Sequence, residues 1–120
     1  MSKKGIYVSK KTSAINKYKS SWELAFMRWL DAHNSVCTWL YEPFSVKYVA
    51  SERTSKIRSY TPDFIIQWSD GRCELIEIKP SSRINKKVIK KAEAAAEFAF
   101  DSEASYSILT EIELKQLGVM

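Results

Sequence analysis

Two carboxylates and an ammonium, Asp63, Glu77 and Lys79, stand at the outer ends of two short apolar runs within YTPDFIIQWSDGRCELIEIKP, residues 60–80. Side chains two apart on a strand share a face, so Glu77 and Lys79 point one way and Ile76 and Ile78 the other. The direction of Asp63 depends on the connecting turn. An Asp70-Gly71 loop pairs Asp63 with Ile78 and sends its carboxylate to the wrong face. A loop of Ser69, Asp70 and Gly71, with Gly71 in the left-handed position of a bulge, pairs Asp63 with Glu77, Phe64 with Ile76 and Ile65 with Leu75. Gly71 sits where that geometry needs a positive φ, so the spacing predicts the longer loop and a carboxylate pair at one end of a hairpin. Charges at strand ends are often simply solvated, but LIEIKP is otherwise apolar enough to be buried. A buried charge is costly unless it is paired or bound to a cation, and adjacent carboxylates repel unless a cation lies between them. Oxygen donors without histidine or cysteine suit Mg²⁺ or Mn²⁺ rather than Zn²⁺.

The surrounding elements must position that corner. Residues 20–33 read as a helix, with Trp22, Phe26, Trp29 and Leu30 at helical spacing and Ala25 on the same face. Ser20 followed by Glu23 has capping-box spacing. Glu23 therefore either closes its own helix or stands over the hairpin as a third acidic group. His33, the only histidine, complements the helix dipole and cannot form a histidine metal site. Residues 36–42 read as a strand ended by Pro43, and 44–50 alternate as a second, with Trp39, Tyr41 and Phe44 assigned to the core. The polar stretch 51–59 reads as a loop whose Arg53, Lys56 and Arg58 either lie along DNA or face water.

Downstream, Asn85 caps a helix over 85–98 with a stripe of Val88, Ala92, Ala95, Ala96 and Ala99. Lys86, Lys87, Lys90 and Lys91 crowd its first two turns. A cation in the first turn opposes the helix dipole at a cost of roughly 0.3–1 kcal/mol, and we read Lys86, Lys87 and Lys90 as phosphate contacts because the helix follows Lys79 so closely. Residues 105–110 form a further strand and 111–117 a short helix resting on Ile112 and Leu114. The order predicts an α/β (α+β) layer, with a central mixed sheet of about four strands flanked by helices and the last strand parallel to the Glu77 strand through a crossover helix.

At 120 residues, with 45% hydrophobic content and few Gly or Pro, the chain has the makings of one ordered domain. Its formal charge of +5 suits a polyanionic partner. Residues 1–19 carry Lys3, Lys4, Lys10, Lys11, Lys17 and Lys19 and no acid. They read as a basic arm, solvated and partly disordered or tracking a phosphate backbone through Lys10, Lys11, Lys17 and Lys19, ahead of a single domain at 20–120. Cys37 and Cys73 read as reduced, buried side chains. No apolar run reaches membrane-spanning length and no signal core opens the chain. The expectation is a cytoplasmic protein.

The pattern Pro62-Asp63, hairpin, Glu77-Ile78-Lys79 resembles the PD-(D/E)XK nuclease superfamily. Ser21-Trp22-Glu23 on a helix and Tyr41-Glu42-Pro43-Phe44 lie upstream, and Ile108-Leu109-Thr110-Glu111 follows a helix downstream. This order is similar to the catalytic domain of TnsA endonucleases and to small phage head-completion nucleases, from about Lys19 to Glu111. The YTPDF run with E-x-K is also similar to a phage junction-resolving endonuclease. The resemblance implies a restriction-endonuclease-like core and Mg²⁺- or Mn²⁺-dependent hydrolysis of DNA phosphodiesters. It assigns catalysis to Glu23, Asp63, Glu77 and Lys79. Asp63, Glu77 and the Ile78 carbonyl would hold the metal, and Glu23 would complete or position its surroundings. DNA is the implied partner, with a homodimer and phage or transposon proteins as further candidates. Junction or branched-DNA resolution is the alternative activity. A non-catalytic DNA-binding or virion role on the same fold is the alternative class.

Overall fold

The structure, a computed structural model, describes residues 3–120. Strands β1 (Gly5–Val8) and β2 (Ile15–Tyr18) precede helix α1 (Ser21–Ala32). Strands β3 (Val36–Tyr41), β4 (Val46–Ser51), β5 (Lys56–Tyr60), β6 (Phe64–Trp68) and β7 (Cys73–Ile78) follow. A 3₁₀ turn (Ser81–Arg83), helix α2 (Lys86–Asp101), strand β8 (Ser105–Leu109) and helix α3 (Glu111–Gln116) complete the chain. The fold is α+β, built on a four-stranded mixed sheet in the order β3-β6-β7-β8. The β7–β8 pair is parallel, joined through α2 as expected, and the other pairs are antiparallel.

The central hairpin has the register its loop demands. Phe64 pairs with Ile76 and Ile65 with Leu75, and Gly71 adopts φ +92°. The Gly71 amide donates to the Trp68 carbonyl at 3.0 Å, and the Trp68 amide to the Arg72 carbonyl at 2.8 Å, closing the loop on Ser69, Asp70 and Gly71. With period-2 alternation, Phe64 and Ile66, together with Ile76 and Ile78, face α1. They form the main core with Phe26, Met27, Leu30, Trp39, Leu109 and Leu114. The opposite face, bearing Leu75 and Glu77, turns toward α2, whose buried Ala95 packs with Tyr48 and Tyr60. Small residues at these positions let the helix approach the strands closely.

Both long helices are capped as their sequences direct. The Ser20 hydroxyl accepts from the Glu23 amide at 3.1 Å, and Asn85 Oδ1 accepts from the Val88 amide at 3.0 Å. At α3, Thr110 and Glu113 form a reciprocal capping box, the motif sought at α1 but found here.

Several expectations are corrected. The basic arm is an antiparallel hairpin over residues 5–18, clamped to α1 where the Tyr7 and Ser9 hydroxyls donate to the Asp31 carboxylate at 2.6 and 2.8 Å. Met1 and Ser2 lie outside the described residues. The stretch 51–59 is not all loop, because Lys56–Tyr60 pairs with β4 as a second hairpin outside the main sheet. α2 runs on to Asp101. Cys37 is exposed rather than buried, pointing off the edge strand β3. Leu114 anchors α3, whereas Ile112 is 56% exposed. Among the described residues no helix is long and apolar enough to cross a membrane.

Candidate active site

Asp63 and Glu77 meet at the open end of the β6–β7 hairpin, where the register extrapolates one step past Phe64–Ile76. The Ile78 amide donates to Asp63 Oδ2 at 2.7 Å, and the Tyr60 hydroxyl donates to Glu77 Oε1 at 2.6 Å. The Lys79 ammonium stands 3.8 Å from Glu77 Oε2, on the same strand face. Each carboxylate thus has one oxygen held by a hydrogen bond. Among the described residues Asp63 Oδ1 accepts no side-chain or loop hydrogen bond, while Glu77 Oε2 faces the Lys79 ammonium.

Burial is the first cause of the electrostatics here. Withdrawal from water, reinforced by the Glu77 charge, pushes the Asp63 carboxyl up to about 8. Burial also raises Glu77, against the hydrogen bond from Tyr60 and the Lys79 charge, which favour its ionised form. Two carboxyls that resist joint ionisation are a pair waiting for a cation.

Glu23 resolves the choice left open between cap and site wall by doing part of each. Its Oε1 accepts from the Lys19 amide at 2.7 Å, one residue before the N-cap, and from the Tyr41 hydroxyl at 2.9 Å. It is only 8% exposed and lines a cavity of about 360 Å³ with Lys19, Asp63, Glu77, Lys79 and Arg83. A second cavity of about 620 Å³ lies on the other side of the same carboxylates, bounded by Lys19, Glu42, Tyr60, Thr61 and Lys91. The pair therefore sits on a saddle between two hollows.

The donor set fits a hard divalent ion in part. Two buried carboxylates side by side, with no histidine or cysteine beside them, match oxygen-preferring Mg²⁺ or Mn²⁺. Among the described residues, no three His, Cys, Asp or Glu side chains converge closely enough to hold a metal ion by themselves. Glu23 thus borders the site without closing a three-carboxylate cage. Ile78 lines the first cavity, its amide engaged by Asp63.

The basic residues divide by position. Lys19 is at the site, lining both cavities and pairing with Glu42 at 2.7 Å, which raises its pKa. Glu42 adopts φ 47°, and its amide donates to the Asp63 carbonyl at 2.7 Å, so a left-handed residue at the end of β3 helps seat Asp63. Lys11 is not free for DNA. Its ammonium donates to the His33 and Val36 carbonyls at 2.6 Å each, closing the C-terminal end of α1. Lys10 is beside it, its amide against Asp31, roughly 16 Å along α1 from Ser20. Lys17 projects from the outer face of the first hairpin. Lys86 and Lys87 are exposed in the first turn of α2, while Lys90 faces a groove shared with Glu93, Glu97 and Asp101. Arg53, Lys56 and Arg58 are exposed along β5 and its turn; Lys56 is four positions from Tyr60, about 14 Å along the strand.

Sequence reasoning missed Tyr60, Tyr41, Arg83 and Lys91 as site residues. The Lys91 ammonium lies 5.9 Å from the Tyr60 ring centroid, and the Tyr106 hydroxyl is 2.9 Å from that of Tyr60. Alternation back from Asp63 does not reveal Tyr60, because Pro62 interrupts the strand between them. Spacing on α2 did offer Lys91, one helical turn after Lys87.

Residues 33–111 match the family described as TnsA-like endonuclease N terminal. The chain is also 35% identical over 63 residues to the head completion nuclease of Enterobacteria phage T4. That match takes in 52% of this chain and 41% of the relative, so the chain spans under half of the relative's length. The bounds of the family match take in β3, the Asp63–Glu77–Lys79 hairpin and the start of α3. On this fold, this site and that match, the chain belongs to the TnsA-like endonuclease N-terminal family.

Proposed function

We propose that the protein is a metal-dependent DNA endonuclease acting at the Asp63–Glu77–Lys79 corner. The observation that carries the reading is the buried carboxylate pair, each member anchored through one oxygen, with an ammonium on the same face. Asp63, Glu77 and the Ile78 carbonyl would hold Mg²⁺ or Mn²⁺, with Glu23 positioning the surroundings. When bound, such an ion supplies Lewis-acid polarisation of the phosphoryl group and stabilises the leaving oxygen. Lys79, beside Glu77, orients the attacking water or stabilises charge gathering on the phosphorus oxygens. Tyr60 fixes the Glu77 carboxylate, and Tyr41 fixes that of Glu23. Lys19, Arg83 and Lys91 line the hollows where phosphates flanking the scissile one would lie. DNA is the substrate this basic surround supports, and a homodimer or a phage or transposon protein partner belongs to the same proposal.

A panel of supercoiled, linear, flapped and four-way DNA tests this, with Mg²⁺, Mn²⁺ or chelator. Metal-dependent nicking across the panel supports the general endonuclease. Cleavage confined to four-way DNA would make it a junction resolvase. Binding without cleavage under every metal condition would leave a non-catalytic DNA-binding protein on a nuclease fold.

A further inference from the structure

A separate cavity of about 270 Å³ opens at the other end of the central hairpin, about five residues or ~17 Å along β6 from Asp63. Its floor is core, with Phe26 and Ile66 each 1% exposed. Its walls carry the indoles of Trp29 and Trp68, whose centroids are 6.4 Å apart at 76°. Both indole N–H groups are already used, on the Leu117 carbonyl and on Glu74 Oε1, both at 3.2 Å. Trp29 already stacks with Phe26 at 5.7 Å and lies 4.5 Å from His33, so what the indoles offer is the ring surface that lines the cavity rather than donors.

Among the described lining residues the charged ones are Glu74 and Glu113, with no lysine or arginine, on a chain of net charge +5. The Thr110 amide and hydroxyl both donate to Glu113 Oε1 at 2.7 Å and hold the carboxyl below its usual range, so it is ionised. Glu113 Oε2 accepts no hydrogen bond among the described residues. The volume is just below the roughly 300–1,000 Å³ of pockets that enclose whole drug-sized ligands, and suits one long side chain. The chain already shows the preferred chemistry, because the Arg72 guanidinium lies 5.6 Å from the Trp68 centroid.

We infer that this cavity is a docking site for an arginine side chain of a protein partner. The guanidinium plane stacks on indole, its N–H fork reaches the Glu113 carboxylate, and its methylenes cover the apolar floor. The site is independent of the nuclease corner, and its Glu113 wall lies past the end of the family match at residue 111.

The test follows the Trp29 and Trp68 indole N–H resonances of the full chain during titration with a Gly-Arg-Gly peptide and with Gly-Leu-Gly. Saturable shifts confined to these two indoles are expected with the arginine peptide, bound about tenfold tighter than the leucine peptide. Glu113→Gln keeps the capping role, since Gln also serves at that position, and should weaken arginine binding several-fold. Gln116→Glu, which adds a charge at the rim, should strengthen it. Equal response to both peptides, no saturable shift with arginine, or indifference to both substitutions would overturn the assignment.

Discussion

Asp63 keeps its proton in the folded chain at pH values where an unfolded aspartate has lost it, because burial and the Glu77 charge raise its pKa to about 8. The folded state then binds more protons than the unfolded state between about pH 4 and that value. In chelator, stability should fall as pH rises through this window. Asp63→Asn, which can still accept from the Ile78 amide, should flatten the fall and raise stability near pH 8 by at least about 1 kcal/mol. Thermal melts across pH check this, and an unchanged slope would show that Asp63 is ionised throughout. Activity should respond in the opposite sense: Asp63→Ala and Glu77→Ala should each cut cleavage by at least about 10²–10³-fold while DNA binding persists. Wild-type cleavage by either variant would place the chemistry elsewhere. Tyr60→Phe removes the 2.6 Å bond to Glu77 without emptying its packing site. Its expected cost is about 10–100-fold in metal affinity or activity, the usual range for a group that orients a ligand; cleavage measured against Mg²⁺ concentration separates the two.

Gly71 governs the central hairpin as an element, since the left-handed conformation it adopts closes the loop that pairs Asp63 with Glu77. A Cβ there would meet nothing within 4 Å, so Gly71→Ala carries a backbone cost alone, about 1–2 kcal/mol. Denaturant unfolding should show that loss and a smaller one for Gly71→Asn, which tolerates positive φ better. Equal stability of all three would mean that the loop relaxes into another turn. The first hairpin is held through Lys11, whose two carbonyl bonds tie its turn to the end of α1 and the start of β3. Lys11→Ala should therefore destabilise by about 1–3 kcal/mol yet leave the salt dependence of DNA binding unchanged. A reduced salt slope with intact stability would return Lys11 to the role of a phosphate contact.

Across the whole molecule the positive charge is spread widely, but only part of it borders the carboxylate saddle. Lys19, Arg83 and Lys91 line the two hollows, whereas Lys90 is set among acids and Lys56 lies down a separate hairpin. Each phosphate contact removed should lower the slope of log affinity against log salt by about 0.9 on duplex DNA. Neutralising Arg83 and Lys91 should thus reduce the slope by close to two such steps. Neutralising Lys90 with Arg53 should leave it nearly unchanged. Fluorescence anisotropy over a salt series distinguishes these outcomes, and equal effects from both pairs would mean that DNA follows no defined path over the saddle.

The sequence by itself determined whatever rests on local periodicity and turn chemistry. Ser20 and Asn85 marked two helix starts, and Gly71 with period-2 alternation set the register that joins Asp63 to Glu77. The four-stranded mixed sheet and its parallel last pair followed from element order. What only the tertiary structure decided depends on contacts between segments distant in the chain. Lys11 reads as a free cation until the end of α1 and the start of β3 each present a carbonyl to it. Residues 5–18 read as an arm until Asp31 supplies acceptors for Tyr7 and Ser9. Tyr60 reads as a strand aromatic until its strand, paired outside the main sheet, swings the hydroxyl onto Glu77. Glu23 could cap its helix or reach the site, and the packing of α1 against the sheet let it do part of both. A hydrogen bond needs both partners within about 3 Å, and across many residues of chain only the fold brings them there.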